Sequence, residues 1–197
     1  MVIGLVGTIG AGKTAVAALL AARGGVAVDG DKLGHAALER PDVKAKLVAR
    51  WGERILKPDG SINRRVVGGI VFTDPAERKV LESVVFPVIG AMATERVATA
   101  SADPAARFVV LDAAVMFEAG WAGACDKVLF VDAPRPTRLA RVANRGWNAA
   151  DLAAREPAQM PAAEKKARAD AVIENTGTPA ELAAKVDAVL ADWDLKG

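Results

Sequence analysis

The sequence has few of the features that mark secreted, membrane-spanning or nucleic-acid-binding proteins. It contains one cysteine, so a disulfide within the chain is impossible and nothing indicates a disulfide-stapled secreted fold. No apolar run reaches the about 18 residues that a membrane-spanning helix needs, so we expect no membrane partner. The 26 basic and 24 acidic residues nearly balance, whereas nucleic-acid-binding domains usually carry a basic excess. We therefore expect no nucleic-acid partner.

The sequence also lacks a targeting segment, internal repeats and low-complexity tracts. Its beginning is apolar, but Lys13 interrupts the apolar stretch, glycines fill its middle, and the basic region that opens a signal peptide is missing. We therefore expect a cytoplasmic protein. A chain of 197 residues fits one domain, and 52% apolar residues are enough to form a substantial core.

Five short apolar runs, each bounded by turn residues, predict strands that are buried on both faces. They are Val2–Val6, Val26–Asp29, Phe108–Asp112, Val128–Asp132 and Ala171–Glu174. Helical patterns lie between them over Thr14–Arg23, Pro75–Ala100 (which Pro87 could interrupt), Pro136–Asn144 and Ala180–Trp193. Strands that alternate with helices predict an α/β fold with a five-stranded parallel sheet flanked by helices.

The predicted elements are unevenly spaced along the chain. The second strand ends near residue 29 and the third begins near residue 107, too far apart for an ordinary loop. We therefore predict a single domain with a core over 1–31, 106–137 and 169–197. A helical insert occupies 32–105, and a polar, helix-forming lid occupies 138–168.

A glycine-rich motif lies between the first strand and the first helix. The residues Gly7–Thr14, GTIGAGKT, fit the phosphate-binding pattern G-x-x-x-x-G-K-[ST]. Glycines let backbone N–H groups surround phosphate oxygens, and the helix N-terminus adds partial positive charge. Lys13 can reach the β- and γ-phosphates, and the Thr14 hydroxyl can bind Mg²⁺. We expect ATP and Mg²⁺ as cofactors, with ATP held by Thr8, Gly10, Ala11, Gly12, Lys13, Thr14 and Ala15.

Aspartates stand at or just after the ends of the second, third and fourth predicted strands. Carboxyl ends of parallel strands face the ligand crevice in open α/β sheets. Asp31, just after the second strand, could orient or deprotonate an attacking hydroxyl, although a helix N-cap is the alternative. Asp112 and Asp132 end the next two strands, and either could assist Mg²⁺ or simply cap a turn. Of these we select Asp112, with Thr14, as the predicted metal ligands.

Three arginines follow the fourth predicted strand at helical spacing. Arg138, Arg141 and Arg145 are three and four residues apart, so they share one helix face. Such a face is most often simply solvated. In a phosphate-loop protein, however, a closing lid could bring guanidinium groups to the transferred phosphoryl. We predict Arg141 as a catalytic residue and Arg145 as an ATP contact.

Beyond these motifs, the chain resembles the dephospho-CoA kinase family over about residues 1–190. GLVGTIGAGKT is similar to the family's GLTGGIGSGKS, and VDGDKLGH resembles its D-A-D segment. PDGSINRRVVGGIVFTDPAERKVLESVVFPVI resembles its D-G-x-[LI]-x-R-R stretch, and VVLDAAVMFEAGW its V-L-D-x-P-L-L-F-E. AQMPAAEKKARADAVIENTG is similar to its Q-[ML]-x-x-x-E-K…A-D-x-V-I-x-N-x-G. The first motif is shared by many phosphate-loop proteins, whereas the others together are specific.

The resemblance implies a phosphate-loop (P-loop) NTPase fold of the nucleoside monophosphate kinase type, with a substrate-binding insert and a lid. It implies ATP-dependent phosphorylation of the ribose 3′-hydroxyl of dephospho-CoA, the final step of coenzyme A biosynthesis. In that reaction Asp31 matches the aspartate that acts on the hydroxyl. Arg64 and Arg65 match paired substrate-binding arginines, and we add His35, one turn after Asp31. Asn175 and Gly177 match a segment near the adenine.

The sequence departs from the family pattern at two places, and two alternatives stay open. Phe86 stands where the family has a histidine before proline, and Ala114 stands where it has proline. Neither departure touches Lys13, Thr14 or Asp31, so we expect an active enzyme, and we expect a monomer. The alternatives are another small-molecule kinase, acting on a nucleoside monophosphate or a sugar acid, and a regulatory NTPase. Against a GTPase switch, the sequence has no guanine-reading N-K-x-D segment after the later strands.

Overall fold

The computed structural model describes residues 1–195 and contains the predicted parallel sheet. The strands are β1 (Val2–Gly7), β2 (Gly25–Asp29), β3 (Phe108–Asp112), β4 (Lys127–Asp132) and β5 (Ala171–Glu174). Their order is β2-β3-β1-β4-β5, and all four pairings are parallel. The α/β fold is therefore confirmed, with the glycine-rich motif following the central strand. Asp29 and Asp112 are register partners at the ends of β2 and β3.

The strands differ in burial according to their place in the sheet. In β1, β3 and β4 the apolar residues are almost all buried, as predicted. The two outer strands, β2 and β5, each leave residues exposed, and Val172 is 37% exposed. The prediction of burial on both faces is therefore wrong for the outer strands. The apolar composition of these runs did not distinguish an outer strand from an inner one.

Nine helices occur in the described part of the chain. They are α1 (Lys13–Ala21), α2 (Gly30–Glu39), α3 (Pro41–Trp51), α4 (Arg64–Thr73), α5 (Pro75–Ser101), α6 (Arg135–Ala143), α7 (Ala149–Arg155), α8 (Ala162–Arg168) and α9 (Pro179–Asp192). Helix α5 is continuous through Pro87, so the interruption there does not occur. A proline removes one helical hydrogen bond, and the rest of this 27-residue helix outweighs that loss. Within residues 1–195, no helix is long and apolar enough to cross a membrane.

The structure divides into two compact units. The first comprises Met1–Asp29 and the chain from Glu95 onward, and the second comprises Gly30–Thr94. The core of the first unit is the sheet with α1 and α9. Its buried side chains include Ile3, Leu5, Val16, Leu20, Phe108, Leu129, Ile173, Val186 and Leu190. Burial of such side chains supplies most of the stability that holds the glycine-rich loop in place.

The second unit consists of α2, α3, α4 and most of α5, with polar contacts that tie its helices together. The Trp51 Nε1 donates to Glu77 at 2.7 Å, and the Ile62 amide donates to Glu39 at 3.0 Å. The hydrogen bonds from Arg50 and then Trp51 lower the pKa of Glu77. The two hydrogen bonds join residues 26 and 23 positions apart in the chain. This unit therefore has a defined tertiary structure of its own.

Candidate active site

The loop between β1 and α1 has the left-handed backbone that its glycines predict. Gly10 and Gly12 have φ angles of 81° and 94°, a region that side-chain-bearing residues rarely adopt. A Cβ atom at Gly12 would lie 2.4 Å from the Asn175 Nδ2, so any larger residue there would displace that side chain. The Ala11 amide donates to the Thr8 carbonyl at 3.0 Å, which closes the turn. The strand–loop–helix context required of a phosphate loop is present.

Lys13, the first residue of α1, forms an ion pair with Asp112 at the end of β3. The two side chains are 19% and 16% exposed. The loop lysine and the predicted metal ligand are therefore brought together by adjacent parallel strands. Phosphate oxygens could replace the Asp112 carboxylate as the partner of this partly shielded ammonium group.

Two further predicted residues converge on the backbone of this loop. Arg141 Nη1 and Asn175 Nδ2 both donate to the Ala11 carbonyl, each at 2.8 Å. Arg141 Nη2 also donates to the Asn175 carbonyl at 3.0 Å. Helix α6 and the segment after β5 thereby brace the loop from one side. Arg145 lies in a turn beyond the last residue of α6, so the prediction that it shares a helix face with Arg138 and Arg141 is wrong. Arg145 and Gly177 are exposed, and their assignment to ATP stays a prediction.

Arg138 contacts the loop as well, and the sequence analysis gave it no specific role. Its Nε donates to the Ala133 carbonyl at 3.1 Å, and its Nη1 donates to the Ile9 carbonyl at 3.3 Å and to Glu156 at 2.8 Å. It is 12% exposed, whereas Arg135, which lies 3.7 Å from the same Glu156, is 48% exposed. The helical spacing of the arginines could not show which of them turns toward the loop.

The metal-binding prediction fits the residue types of the site. Among residues 1–195, no group of three or more His, Cys, Asp or Glu side chains could hold a metal ion. Mg²⁺ does not need such a group, because it commonly keeps several waters and binds phosphates plus one or two protein oxygens. Thr14 is exposed at the start of α1, with Asp112 as the nearby acid. The other candidate, Asp132, accepts a hydrogen bond from the Thr8 hydroxyl at 2.7 Å.

A small cavity adjoins the phosphate loop. Its volume is about 160 Å³, and it is lined by Thr8, Ile9, Arg138, Glu156 and residues 159–162. The polar groups at its wall include a guanidinium, a carboxylate and the Gln159 amide. It lies within the predicted lid segment and the loop, both in the first unit.

Lys165 and Glu118 form a buried ion pair that the sequence analysis missed. Their charged groups are 3.2 Å apart, and the Lys165 side chain is 1% exposed. Burial lowers the pKa of Lys165, while Glu118 opposes that shift. Both residues lie in segments quoted for the family resemblance, but nothing in their spacing showed that these segments meet.

In the second unit, the predicted substrate residues lie on two helices. Arg64, which opens α4, contacts His35 of α2 through its Nη1 and the His35 Nε2. A guanidinium only donates hydrogen bonds, so this Nε2 is the acceptor. Asp31 is the second residue of α2 and therefore not an N-cap, which removes the alternative interpretation. Asp31, His35, Arg64 and Arg65 are all exposed.

Comparison with known proteins gives a consistent result over the whole length. The family model described as Dephospho-CoA kinase matches residues 1–181. The chain belongs to the dephospho-CoA kinase family. Among its relatives, the dephospho-CoA kinase of Anaeromyxobacter dehalogenans is 41% identical, over 97% of this chain and 91% of that protein. The dephospho-CoA kinase of Geobacter sulfurreducens is 39% identical, over 96% of this chain and 97% of that protein.

Solved structures agree with the fold. The protein TT1252 from Thermus thermophilus is similar with a TM-score of 0.80 and 37% identity, covering 98% of this chain and 97% of that one. The shikimate kinase of Acinetobacter baumannii has a TM-score of 0.53 and 17% identity over 99% and 95% of the two chains, so it shares the fold alone. The predicted family and the phosphate-loop kinase fold are confirmed. Neither a sugar-acid kinase nor a regulatory NTPase is favoured.

Proposed function

We propose that this chain transfers the γ-phosphoryl group of ATP to the ribose 3′-hydroxyl of dephospho-CoA, giving coenzyme A and ADP. The observation that carries the proposal is membership of the dephospho-CoA kinase family over residues 1–181. The correctly shaped phosphate loop with Lys13 supports it, because phosphoryl transfer needs a positioned triphosphate.

On the nucleotide side, the chain's own contribution is positioning and charge. The loop amides and Lys13 would hold the β- and γ-phosphates, and Thr14 with Asp112 would hold Mg²⁺. Bound Mg²⁺ would neutralise charge on the phosphate oxygens. Lys13 would then exchange its contact with Asp112 for a phosphate oxygen, which leaves the carboxylate of Asp112 available for the magnesium.

On the acceptor side, the insert over 32–105 would bind dephospho-CoA. Asp31 would accept or orient the proton of the attacking hydroxyl, which makes the oxygen a better nucleophile. Arg64 and Arg65 would bind anionic groups of the substrate, and His35, already in contact with Arg64, would orient that arginine. Phe86 replaces a histidine of the family pattern, so these residues carry the polar recognition.

The lid over 138–168 would close the site and supply positive charge. Arg141 already donates to the Ala11 carbonyl of the phosphate loop, and its guanidinium would turn from there to the transferred phosphoryl. Arg145, two residues beyond the end of α6, would add a second guanidinium. Closure matters because a wet site would lose ATP to hydrolysis. A monomer in the cytoplasm is sufficient for this reaction, and both features stay predictions.

The test is ADP release from Mg-ATP with a panel of acceptors. The panel contains dephospho-CoA, AMP, CMP, shikimate, gluconate and no acceptor, with the K13A variant as the blank for contaminating ATPases. Release with dephospho-CoA alone supports the proposal. Faster release with a different acceptor, or release that needs no acceptor, would refute it while leaving the fold unchanged.

A further inference from the structure

Lys165 is the one charged residue that is almost completely buried among residues 1–195, at 1% exposure. Removing an ammonium group from water is costly, and an ion pair with one carboxylate often fails to recover that cost. An apolar side chain on α8 could fill the same space without the penalty. The charge at this position therefore calls for a reason beyond packing.

The ammonium group of Lys165 joins two separate segments of the chain. It donates to the Ala114 carbonyl at 2.7 Å and to Gln159 Oε1 at 3.3 Å, and it pairs with Glu118 at 3.2 Å. Glu118 also accepts the Met160 amide at 2.6 Å. All three ammonium protons thus have an acceptor, and residues 114–118 are fastened to residues 159–165.

The first of these segments begins two residues after Asp112. The Ala113 amide continues the sheet by donating to the Leu5 carbonyl at 3.1 Å, and Ala114 is the next residue. From there the backbone leaves the sheet in a series of turns whose other carbonyl groups, at residues 113 and 115–117, accept from amides of the same loop. The Ala114 carbonyl accepts from a side chain instead. Lys165 supplies that contact two residues beyond Asp112, whose carboxylate pairs with Lys13. A hydrogen bond is directional, whereas an apolar contact is not.

We propose that Lys165, held in place by Glu118, is a positioning residue that fixes the loop after β3 and thereby the orientation of Asp112 beside the phosphate loop. The proposal rests on the proposed function, because Asp112 acts there in Mg-ATP binding and phosphoryl transfer. Lys165 itself touches neither ATP nor the acceptor in this account. The lone buried Glu118 Oε2, which has no hydrogen-bond partner in the structure, indicates that the pair is kept at a cost in stability.

The chain provides a matched control in the adjacent residue. Lys166 is the same residue type on the same helix but is exposed. K165M removes the buried charge and its contacts with Ala114, Gln159 and Glu118 at nearly constant volume, and K166M removes an exposed charge. We expect kcat with dephospho-CoA to fall about tenfold or more in K165M, the range typical of residues that orient a metal ligand. In K166M it stays within about twofold, and KM for dephospho-CoA changes in neither.

A second variant separates positioning from stability. K165M leaves the half-buried carboxylate of Glu118 without its counter-ion, so the melting temperature falls. K165M/E118Q removes that lone charge and retains an acceptor for the Met160 amide, so the melting temperature rises again while kcat stays low. If kcat recovers together with the melting temperature, the pair is merely structural and the proposal is overturned. Wild-type kcat in K165M overturns it as well.

A double-mutant cycle with Asp112 tests whether Lys165 acts through that residue. Mg-ATP affinity is measured by calorimetry, without any acceptor, for the wild type, D112N, K165M and D112N/K165M. If Lys165 acts through Asp112, the double variant binds no more weakly than D112N alone. If the fold losses of Mg-ATP affinity in the two single variants multiply in the double variant, the proposal is overturned. Since this cycle needs no acceptor, it remains decisive even if the wild type fails to phosphorylate dephospho-CoA, which would refute the proposed function instead.

Discussion

The predicted nucleotide-binding residues and the predicted acceptor-binding residues differ in burial and in how firmly their side chains are held. In the first unit, Lys13, Arg141 and Asn175 are half-buried or buried, and each is bonded to an acid or to loop backbone. In the second unit, Asp31 and Arg64 are exposed on helices. Preorganised groups bind without paying to become ordered, whereas exposed groups adapt to a ligand. Changes in the first unit should therefore weaken ATP binding with any acceptor, and changes in the second should affect only dephospho-CoA.

The largest effect expected is that of Lys13→Ala. Loss of the ammonium removes the charge that we propose contacts the transferred phosphoryl, so we expect turnover to fall about a thousandfold. Calorimetry should show weaker Mg-ATP binding with no acceptor present. Lys13→Arg, which keeps the charge but not its shape, serves as the control and should recover part of the binding. Activity of the alanine variant within about threefold of wild type would contradict the assignment of Lys13 to the nucleotide-binding residues.

Asp31→Asn should show a different pattern. Loss of a general base typically costs about a hundredfold or more, so kcat falls while Mg-ATP affinity stays at the wild-type value. Asp42→Asn, another exposed acid of the second unit, is the control and should leave kcat unchanged. A comparable loss of ATP affinity in the Asp31 variant would show that the two sets of residues are not separable.

Arg64→Ala should act on substrate binding alone. A charge-assisted hydrogen bond to an anionic group is worth about one factor of ten, so KM for dephospho-CoA should rise about tenfold with little change in kcat. Arg78→Ala is the matched control, because Arg78 is an arginine of the same unit that pairs with Glu82 one turn away on α5. Equal KM values for dephospho-CoA in the two variants would show that Arg64 does not bind the acceptor.

The smallest effect concerns the two arginines that share Glu156. Arg138 also reaches the Ile9 carbonyl of the phosphate loop, whereas Arg135 is an exposed partner of Glu156 at 3.7 Å. We expect Arg138→Gln to raise KM for ATP about fivefold, since one or two modest hydrogen bonds are lost, and Arg135→Gln to leave it unchanged. Steady-state kinetics with varied ATP distinguishes them. Identical behaviour would show that the ion pair to Glu156, not the loop contact, matters.

The sequence was sufficient for the sheet and for the phosphate loop because both depend on local patterns. Apolar runs determined the five strands to within one residue of their observed bounds. The loop motif was readable because Gly10 and Gly12 adopt φ angles that other residues avoid. The burial of the outer strands was not predicted correctly, since strand order is a property of the fold and not of any single run.

The buried polar contacts could not be predicted in the same way. Lys165 and Glu118 are 47 positions apart, and Arg138 and Ile9 are 129 apart, so no local spacing links them. A lysine in the last turn of a short helix is usually a solvated residue, and only the tertiary structure shows this one inside. Arg64 and Arg65 were predicted through the family resemblance, because exposed arginine side chains have no distinctive spacing. Asp31 was also indicated by its position just after the second strand, and His35 by its place one turn later.

The most direct test of the central claim is to identify the phosphorylated product. Purified protein is incubated with Mg-ATP and dephospho-CoA, and the product is analysed by ³¹P NMR and by comparison with authentic coenzyme A, with Lys13→Ala as the blank. The account predicts one new phosphomonoester at the ribose 3′-position and one ADP for each coenzyme A formed. Unchanged dephospho-CoA, or phosphate at another hydroxyl, would contradict it.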